Sequence, residues 1–344
     1  MSLEALGWRP FFETAYTGIA GKKQSPGRVV SVHKKGFFVN DGTTVRSAYP
    51  SGQLRRNRHT GGMFPCTGDW VIMDPPGTGE QSRITRVLPR ENSLCRHDAG
   101  TRHIKSGGRV KQQVIAANLD HVFIVCGLDR DFNPRRIERY LSTVYASEVP
   151  PVILLNKADM YADPSIFLVE AKQTVIDAPI YMISAETGMG MAAVEAYLAP
   201  RKTIALMGSS GVGKSTLVNR LAGWDQRKTS RISDAVGKGV HTTSSRDLIL
   251  LPGGAMLIDN PGIRELGLWD EGEGVSATFA DIEALALGCR FSNCTHMSEP
   301  GCAILHALET ETLDIERYVS YRKQQEEIDQ LAERKARTPL KNKK

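Results

Sequence analysis

The segment Gly208-Ser209-Ser210-Gly211-Val212-Gly213-Lys214-Ser215 has the spacing G-x-x-x-x-G-K-[ST], a loop able to wrap the phosphates of a nucleotide. Gly208, Gly211 and Gly213 let backbone amides turn inward, and Lys214 carries a positive charge to the β and γ oxygens. Ser215 offers a hydroxyl to Mg2+, and Thr216 continues the same turn. Such a loop needs a strand to launch it and a helix whose amino end faces the phosphate. Both are written into the chain, as TIALM before the loop and KSTLVNRLAG after it.

A phosphate loop does not choose a base. Asn156-Lys157-Ala158-Asp159 follows the apolar run PVILL, at what would be the carboxyl end of a strand, where nucleotide sites lie in open α/β sheets. The Asp159 carboxylate can accept the N1 and 2-amino hydrogens of guanine, a pair of donors that adenine lacks. Ser184-Ala185-Glu186-Thr187-Gly188, after IYMI, resembles a loop that touches guanine O6 through its backbone. Asp259-Asn260-Pro261-Gly262 closes the run AMLI, so Asp259 can hold Mg2+ through water and the Gly262 amide can sense a γ-phosphate. Residues 229–246 are polar, carry Gly237 and Gly239, and contain His241-Thr242-Thr243. They suit a switch loop in which Thr242 or Thr243 closes over Mg2+ and the γ-phosphate, and the residues leave open which one. Ile263 stands where Ras-like enzymes carry a water-orienting glutamine. His241 is the nearest candidate to replace it; contact with RNA or solvent is its alternative role.

These loops require a scaffold, and its elements are legible as texture. From about residue 112, apolar runs (HVFIVCGLD, PVILLNKAD, PIYMISA, KTIALMGSS, DLILLP, AMLIDNPG) alternate with amphipathic segments near 134–147, 164–177, 191–199 and 214–222. Buried strands alternating with helices predict a mainly parallel, doubly wound sheet. Residues 27–88 instead show short alternating runs punctuated by Gly and Pro, which predict five short strands in a Greek-key barrel of the oligonucleotide-binding kind. Arg55, Arg56, Arg58 and His59 fall in a polar, Gly-rich stretch expected to be a loop of that barrel. From about Ser276 the pattern is helical around a Cys/His knot, and it ends in a polar helix and a basic tail.

With 344 residues, 41% hydrophobic, the chain can bury two or three cores and is not dominated by disorder. No apolar run approaches the roughly 20 residues of a membrane span, and the first residues lack a secretory signal pattern, so a cytoplasmic protein is expected. The net charge of +6 hides a partition of +9 in residues 1–110, −8 in 111–330 and +5 in 331–344, which suits a polyanionic partner reached by both ends of the chain. Three of the six cysteines crowd beside His296, which suggests metal rather than disulfides.

The order of the motifs is the informative feature: the base-reading NKAD and SAETG precede the phosphate loop, which precedes the switch threonines and DNPG. Ordinary GTPases run the other way round. The sequence therefore resembles the circularly permuted GTPases, and a basic barrel in front with a Cys/His knot behind resembles the ribosome small-subunit-dependent GTPase family, RsgA (also YjeQ or YloQ). Asn260 departs from the threonine more usual in that family. The resemblance spans about Arg28 to Arg322. It implies an amino-terminal arm (1–26), an OB-fold (27–100), a circularly permuted α/β GTPase domain (112–272), a helical zinc-binding domain (273–330) and a basic tail (331–344). Cys289, Cys294, His296 and Cys302, as C-x4-C-x-H-x5-C, match the family's zinc knot, and three thiolates with one imidazole close a tetrahedral shell, which makes the metal structural. The implied activity is GTP hydrolysis with Mg2+, stimulated by the small (30S) ribosomal subunit during its late maturation, with contacts to 16S rRNA and a water-positioning role for His241. A monomer with no membrane attachment is expected. Two other readings, a pure binding module and a membrane-associated metal-transport GTPase, fit less well: the first has no need of Lys214, Ser215 and Asp259, and the second predicts a hydrophobic span or a lipidation site.

Overall fold

The computed structural model of the chain describes residues 1–33, 36–60, 63–76, 81–97, 112–129, 132–224, 246–259 and 272–336. After an amino-terminal helix α1 (Pro10–Thr17) come β1 (Ser25–His33), β2 (Gly36–Asn40), β3 (Val45–Pro50), α2 (Gly52–Thr60), β4 (Trp70–Asp74) and β5 (Ser82–Val87). The five strands close on themselves in the order β1-β2-β3-β5-β4-β1, with only the β3–β5 pairing parallel. This is the expected barrel of the oligonucleotide-binding kind, with α2 between its third and fourth strands. Alternation fills it: Val29, Phe37, Val39, Ala48, Val71, Met73 and Ile84 point inward. Gly27 is required because a Cβ there would lie 2.6 Å from Val39 Cγ1 and 2.7 Å from Met73 Cε.

One expectation needs correction. Arg55 and Arg56 are exposed on α2, not on a loop, and Arg58 and His59 belong to the same helix. A single apolar residue, Leu54, plugs the barrel from that helix, and the Arg55 amide donates to the Ser51 carbonyl at 3.0 Å. With Leu54 as the one apolar side chain in its nine-residue sequence, the helix has no apolar stripe for periodicity to reveal.

A hairpin of β6 (Ser93–His97) and β7 (Gln112–Ala117) leads to the second unit: β8 (His121–Gly127), α3 (Pro134–Tyr145), β9 (Pro151–Asn156), α4 (Ser165–Thr174), β10 (Ile180–Met182), α5 (Met191–Glu195), β11 (Thr203–Met207), α6 (Lys214–Leu221), β12 (Arg246–Leu250) and β13 (Met256–Asp259). All six expected apolar runs are strands, ordered β10-β9-β8-β11-β13-β12 and parallel except for β12. Every residue of β9 and β11 is buried, as a sheet covered on both faces demands. Ile137, Leu141 and Val144 of α3 cover one face, and Leu217 and Val218 of α6 the other. Four helices complete the described chain: α7 (Glu273–Thr278), α8 (Ala280–Ala286), α9 (Ala303–Glu309) and α10 (Ile315–Ala336), packed around Val275, Phe279, Ile282, Ile304 and Tyr321. Among the described residues no helix is long and apolar enough to cross a membrane.

Barrel and α/β unit share a strand. One edge of β1 carries β2; the other carries β4 at residues Ser25–Arg28, then β12 at Ser31 and Val32, with a bulge between Val29 and Ser31 where the partner changes. Arg28, 2% exposed, sits at that handover. Its guanidinium donates to the carbonyls of Leu6, Gly68 (3.3 Å) and Asn118 (3.3 Å) and to Thr203 Oγ1 (2.9 Å), and lies 5.6 Å from the centre of the Trp70 ring. Burial lowers its pKa to about 10, so it remains charged at neutral pH. Arg28→Ala should lower stability on the order of 3 kcal/mol, because buried acceptors from four parts of the chain lose their donor together. Urea unfolding followed by tryptophan fluorescence measures this. A loss below about 0.5 kcal/mol would mean that strand pairing alone holds the seam.

Candidate active site and metal centre

The parallel sheet brings the nucleotide motifs to one edge. β8, β9, β10, β11 and β13 all end there, at Gly127, Asn156, Met182, Met207 and Asp259. Lys214 opens α6 directly after the loop, with Ser215 and Thr216 in its first turn and Ser210 exposed at the loop crown. Gly208, Gly211 and Gly213 have φ of 148°, 85° and 97°, values for which glycine is the natural residue. A Cβ on Gly208 would meet the Val125 carbonyl at 2.2 Å, so this turn sits flush on β8. The Lys214 ammonium donates to the carbonyls of Gly208 (2.6 Å) and Ser209.

Asn156 joins three loops. Its Nδ2 donates to the Val212 carbonyl at 2.8 Å, its Oδ1 accepts the Ala185 amide at 2.9 Å, and the side chain is buried. The loops at 156–159 and 184–188 and the glycine-rich loop are thus held in register by a single amide. A Cβ on Gly213 would lie 2.2 Å from that Nδ2, which gives the third loop glycine a second reason to be glycine. Asp159 is exposed in a short 3-10 turn over Ala158–Met160, with its carboxylate accessible to a base. Ala158 is buried and donates its amide to the Ile183 carbonyl at 3.1 Å. The Ser184 hydroxyl accepts the Thr187 amide at 3.0 Å and shapes the neighbouring loop.

Sequence reasoning missed several supports. Lys157, with φ of 70°, forms an ion pair with Asp129, two residues beyond β8. Its place just beyond the run HVFIVCGL was a usable signal. Arg220 of α6 donates to the carbonyls of Ala185 and Glu186, and Arg136 and Tyr140 of α3 reach Ser209 Oγ at 3.0 and 3.3 Å. No local pattern announces these contacts. Asp259 closes β13, beside the strand that launches the phosphate loop. Gly262, His241, Thr242 and Thr243 lie outside the described residues.

The second site is the Cys/His knot. One ligand atom each from Cys289, Cys294, His296 and Cys302 falls within 4.8 Å of all the others. Three separations are 3.5 Å (Cys289 Sγ to His296 Nδ1), 3.9 Å (Cys289 Sγ to Cys302 Sγ) and 3.4 Å (His296 Nδ1 to Cys302 Sγ). A tetrahedron with Zn–S of about 2.3 Å and Zn–N of about 2.05 Å has edges of about 3.8 and 3.6 Å, so the donor set is compatible with a structural zinc. The supports are local. Glu299 accepts the amides of Thr295 (2.8 Å), Met297 (2.9 Å) and Ser298 (3.1 Å), and the Thr295 hydroxyl, which holds its carboxyl well below the usual range. Tyr318 of α10 donates to the His296 carbonyl at 2.8 Å, and His296 itself has φ of 59°.

Strand order, glycine-built phosphate loop and acidic strand end together define a circularly permuted P-loop GTPase behind an OB barrel, followed by a zinc-compatible helical unit. The family profile described as RsgA GTPase matches residues 87–269, and one described as 50S ribosome-binding GTPase matches residues 203–339. The small ribosomal subunit biogenesis GTPase RsgA of Opitutus terrae is 43% identical over 336 residues, 95% of this chain and 90% of that protein. Its namesake in Syntrophotalea carbinolica is 43% identical over 333 residues, again 95% and 90% of the two chains. The crystal structure of YjeQ from Thermotoga maritima aligns with a TM-score of 0.63 at 26% identity, covering 90% of this chain and 99% of that one. YloQ, described as a circularly permuted GTPase, aligns at 0.59 with 22% identity over 93% and 98% of the two chains, a likeness of fold. The chain belongs to the RsgA GTPase family, enzymes that use GTP and Mg2+.

Purified protein should carry about one equivalent of zinc, and Cys294→Ser should lose it by metal analysis while retaining GDP binding, since the two sites share no ligand. A fully zinc-loaded Cys294→Ser protein would remove that cysteine from the shell.

Proposed function

We propose that this protein hydrolyses GTP on the small ribosomal subunit late in its maturation, contacts 16S rRNA, and acts as a cytoplasmic monomer. The observation that carries the reading is the Asn156 junction. One buried amide ties the guanine-reading and phosphate loops together at the carboxyl edge of a permuted sheet, in a chain whose relatives along 95% of its length are named for small-subunit biogenesis.

The roles follow from chemistry. Asp159 selects guanine, with Asn156, Lys157 and Ala158 shaping its turn, and the backbone of Ser184 and Ala185 faces the base O6. Residues Gly208 to Thr216 hold the phosphates, with Lys214 on the β and γ oxygens. Ser215, Asp259 and one of Thr242 and Thr243 would hold Mg2+, which neutralises charge on the leaving phosphates, and Gly262 senses the γ-phosphate. Ile263 cannot orient water, so His241 positions the attacking water on the subunit. Arg55 and Arg56, exposed on α2, offer charge to phosphates of the rRNA. The domain division proposed is an arm at 1–26, OB-fold 27–100, GTPase domain 112–272, zinc-binding domain 273–330 and a basic tail.

Two outcomes test the reading. GDP should displace a fluorescent guanine nucleotide at concentrations at least about a hundredfold below ADP, and Asp159→Asn should shift preference toward xanthine nucleotides, whose 2-oxo group accepts a hydrogen bond where guanine donates. Equal displacement by ADP would refute the assignment of Asp159. In single-turnover assays on saturating small subunits, His241→Ala should lose about a hundredfold or more of the stimulated rate with little change in GTP affinity, since water orientation acts in the transition state. A variant at the parental rate would transfer that role to rRNA or a ribosomal protein.

A further inference from the structure

Helix α3 carries two polar faces that point at different parts of the molecule. On one, Arg136 Nη1 donates to Ser209 Oγ at 3.0 Å and Tyr140 Oη lies 3.3 Å from the same oxygen, so the phosphate loop is gripped one turn apart on the helix. On the other, at the spacing of residues 135, 138 and 142, lies the carboxyl-terminal unit. Glu138 Oε1 accepts from Arg135 (2.6 Å) and from Arg317 of α10 (2.9 Å), and the Ser142 hydroxyl meets Thr278 Oγ1 of α7 at 3.1 Å. Gly274 presses α7 onto α3 so closely that a Cβ there would stand 2.1 Å from the Ser142 carbonyl and 2.9 Å from Ala146 Cβ.

Arg317, 4% exposed, locks this contact. Besides Glu138 it binds the carboxylate of Asp281 through two nitrogens at 2.7 Å each, the carbonyls of Thr174 (3.0 Å) and Thr278 (3.1 Å), and lies 4.9 Å from the centre of the Phe279 ring. One side chain thus fixes α3, α4, α7 and α8 relative to α10. The phosphate loop has a reason to move against this frame. The Lys214 ammonium donates to the Ser209 carbonyl, and a nucleotide phosphate competes for that ammonium, so occupancy acts on the residue that α3 grips.

We infer that α3 is the strut through which nucleotide binding is felt by the zinc-bearing carboxyl-terminal unit, with Arg136 and Tyr140 as its phosphate-loop end and the Glu138–Arg317 pair as its far end. These four are positioning residues and touch no reacting atom. The inference rests on the nucleotide-site reading above, and linkage makes it reciprocal: a partner that shifts the carboxyl-terminal unit through α10 must alter nucleotide affinity by the same factor.

Hydrogen–deuterium exchange of the full-length, zinc-loaded protein with and without GDP reads both ends at once. GDP should slow exchange in the phosphate loop and α6, and also in α7, there by on the order of fivefold. Combining Arg136→Gln with Tyr140→Phe should leave the phosphate-loop protection and cut the α7 response to less than about half of it on the same scale. Arg317→Lys, which keeps the charge but loses the fork, should do the same from the far end. An α7 response that persists unchanged in both proteins would mean that the signal follows the chain from β13 to α7, and the strut would be overturned. Phosphate-loop protection in the parent without any α7 response overturns it as well. Absence of protection even at the phosphate loop would instead sink the nucleotide site, and the inference with it.

Discussion

Strand β1 belongs to two structures at once, and the molecule is arranged around that constraint. Its outer edge must close the barrel with β4 and then, three residues later, extend the α/β sheet with β12. A flat strand cannot serve two sheets of different twist. The bulge between Val29 and Ser31 bends the strand where its partner changes, as bulges do at the rims of barrels. A buried cation then fills the corner, because the carbonyls of Leu6, Gly68 and Asn118 converge there without a sheet partner to satisfy them. The result is one continuous eleven-stranded sheet in which barrel and GTPase unit share backbone hydrogen bonds.

This seam reaches the acidic strand end through β12. That strand follows residues 225–245, which contain His241, Thr242 and Thr243, and its Asp247 pairs in register with Asp259. Asp247 also accepts from the Ser31 hydroxyl, itself 2.7 Å from His33 Nε2. The barrel is therefore bonded to the strand that pairs with the one ending in Asp259. Permutation leaves the sheet order of the GTPase intact while moving the chain ends, so both flanking units attach at positions closed off by the ordinary connectivity.

Much of this was legible in the sequence, and the exceptions share a cause. Six apolar runs became six strands, and the motifs beginning at Ser184 and Gly208 follow strands while Asn156 and Asp259 each end one, because buried parallel strands and glycine-rich loops impose their pattern on consecutive residues. The donors of the Cys/His knot were readable for the same reason, since their ligands lie within 14 residues of one another. What escaped depends on residues far apart in sequence. Arg28 reads as one more barrel charge until Thr203 and Asn118 are brought beside it. Asn156 reads as the first letter of a base-specificity motif, yet its bonds go to Val212 and Ala185. Helix α2 escaped because one plugging leucine makes no stripe.

The two interfaces between units are solved alike. Arg28 joins barrel to sheet and Arg317 joins the helices that cover the sheet to the carboxyl-terminal helices, each almost fully buried, each donating to backbone carbonyls of more than one segment and lying near an aromatic ring. An apolar side chain of similar volume would cost less to desolvate and could hold as firmly. It would not, however, define an angle, because hydrophobic contact is non-directional, whereas a planar fork of five donors is satisfied only when several chain segments arrive together. The pairing of charge differs in a way that fits the position of each. Arg28 faces neutral acceptors and has its pKa lowered by burial, while Arg317 pays the same burial but is carried above its ordinary value by Asp281 and Glu138. The first arrangement suits a joint already fixed by strand pairing; the second, where helices meet without a shared sheet, relies on ionic partners to hold its orientation.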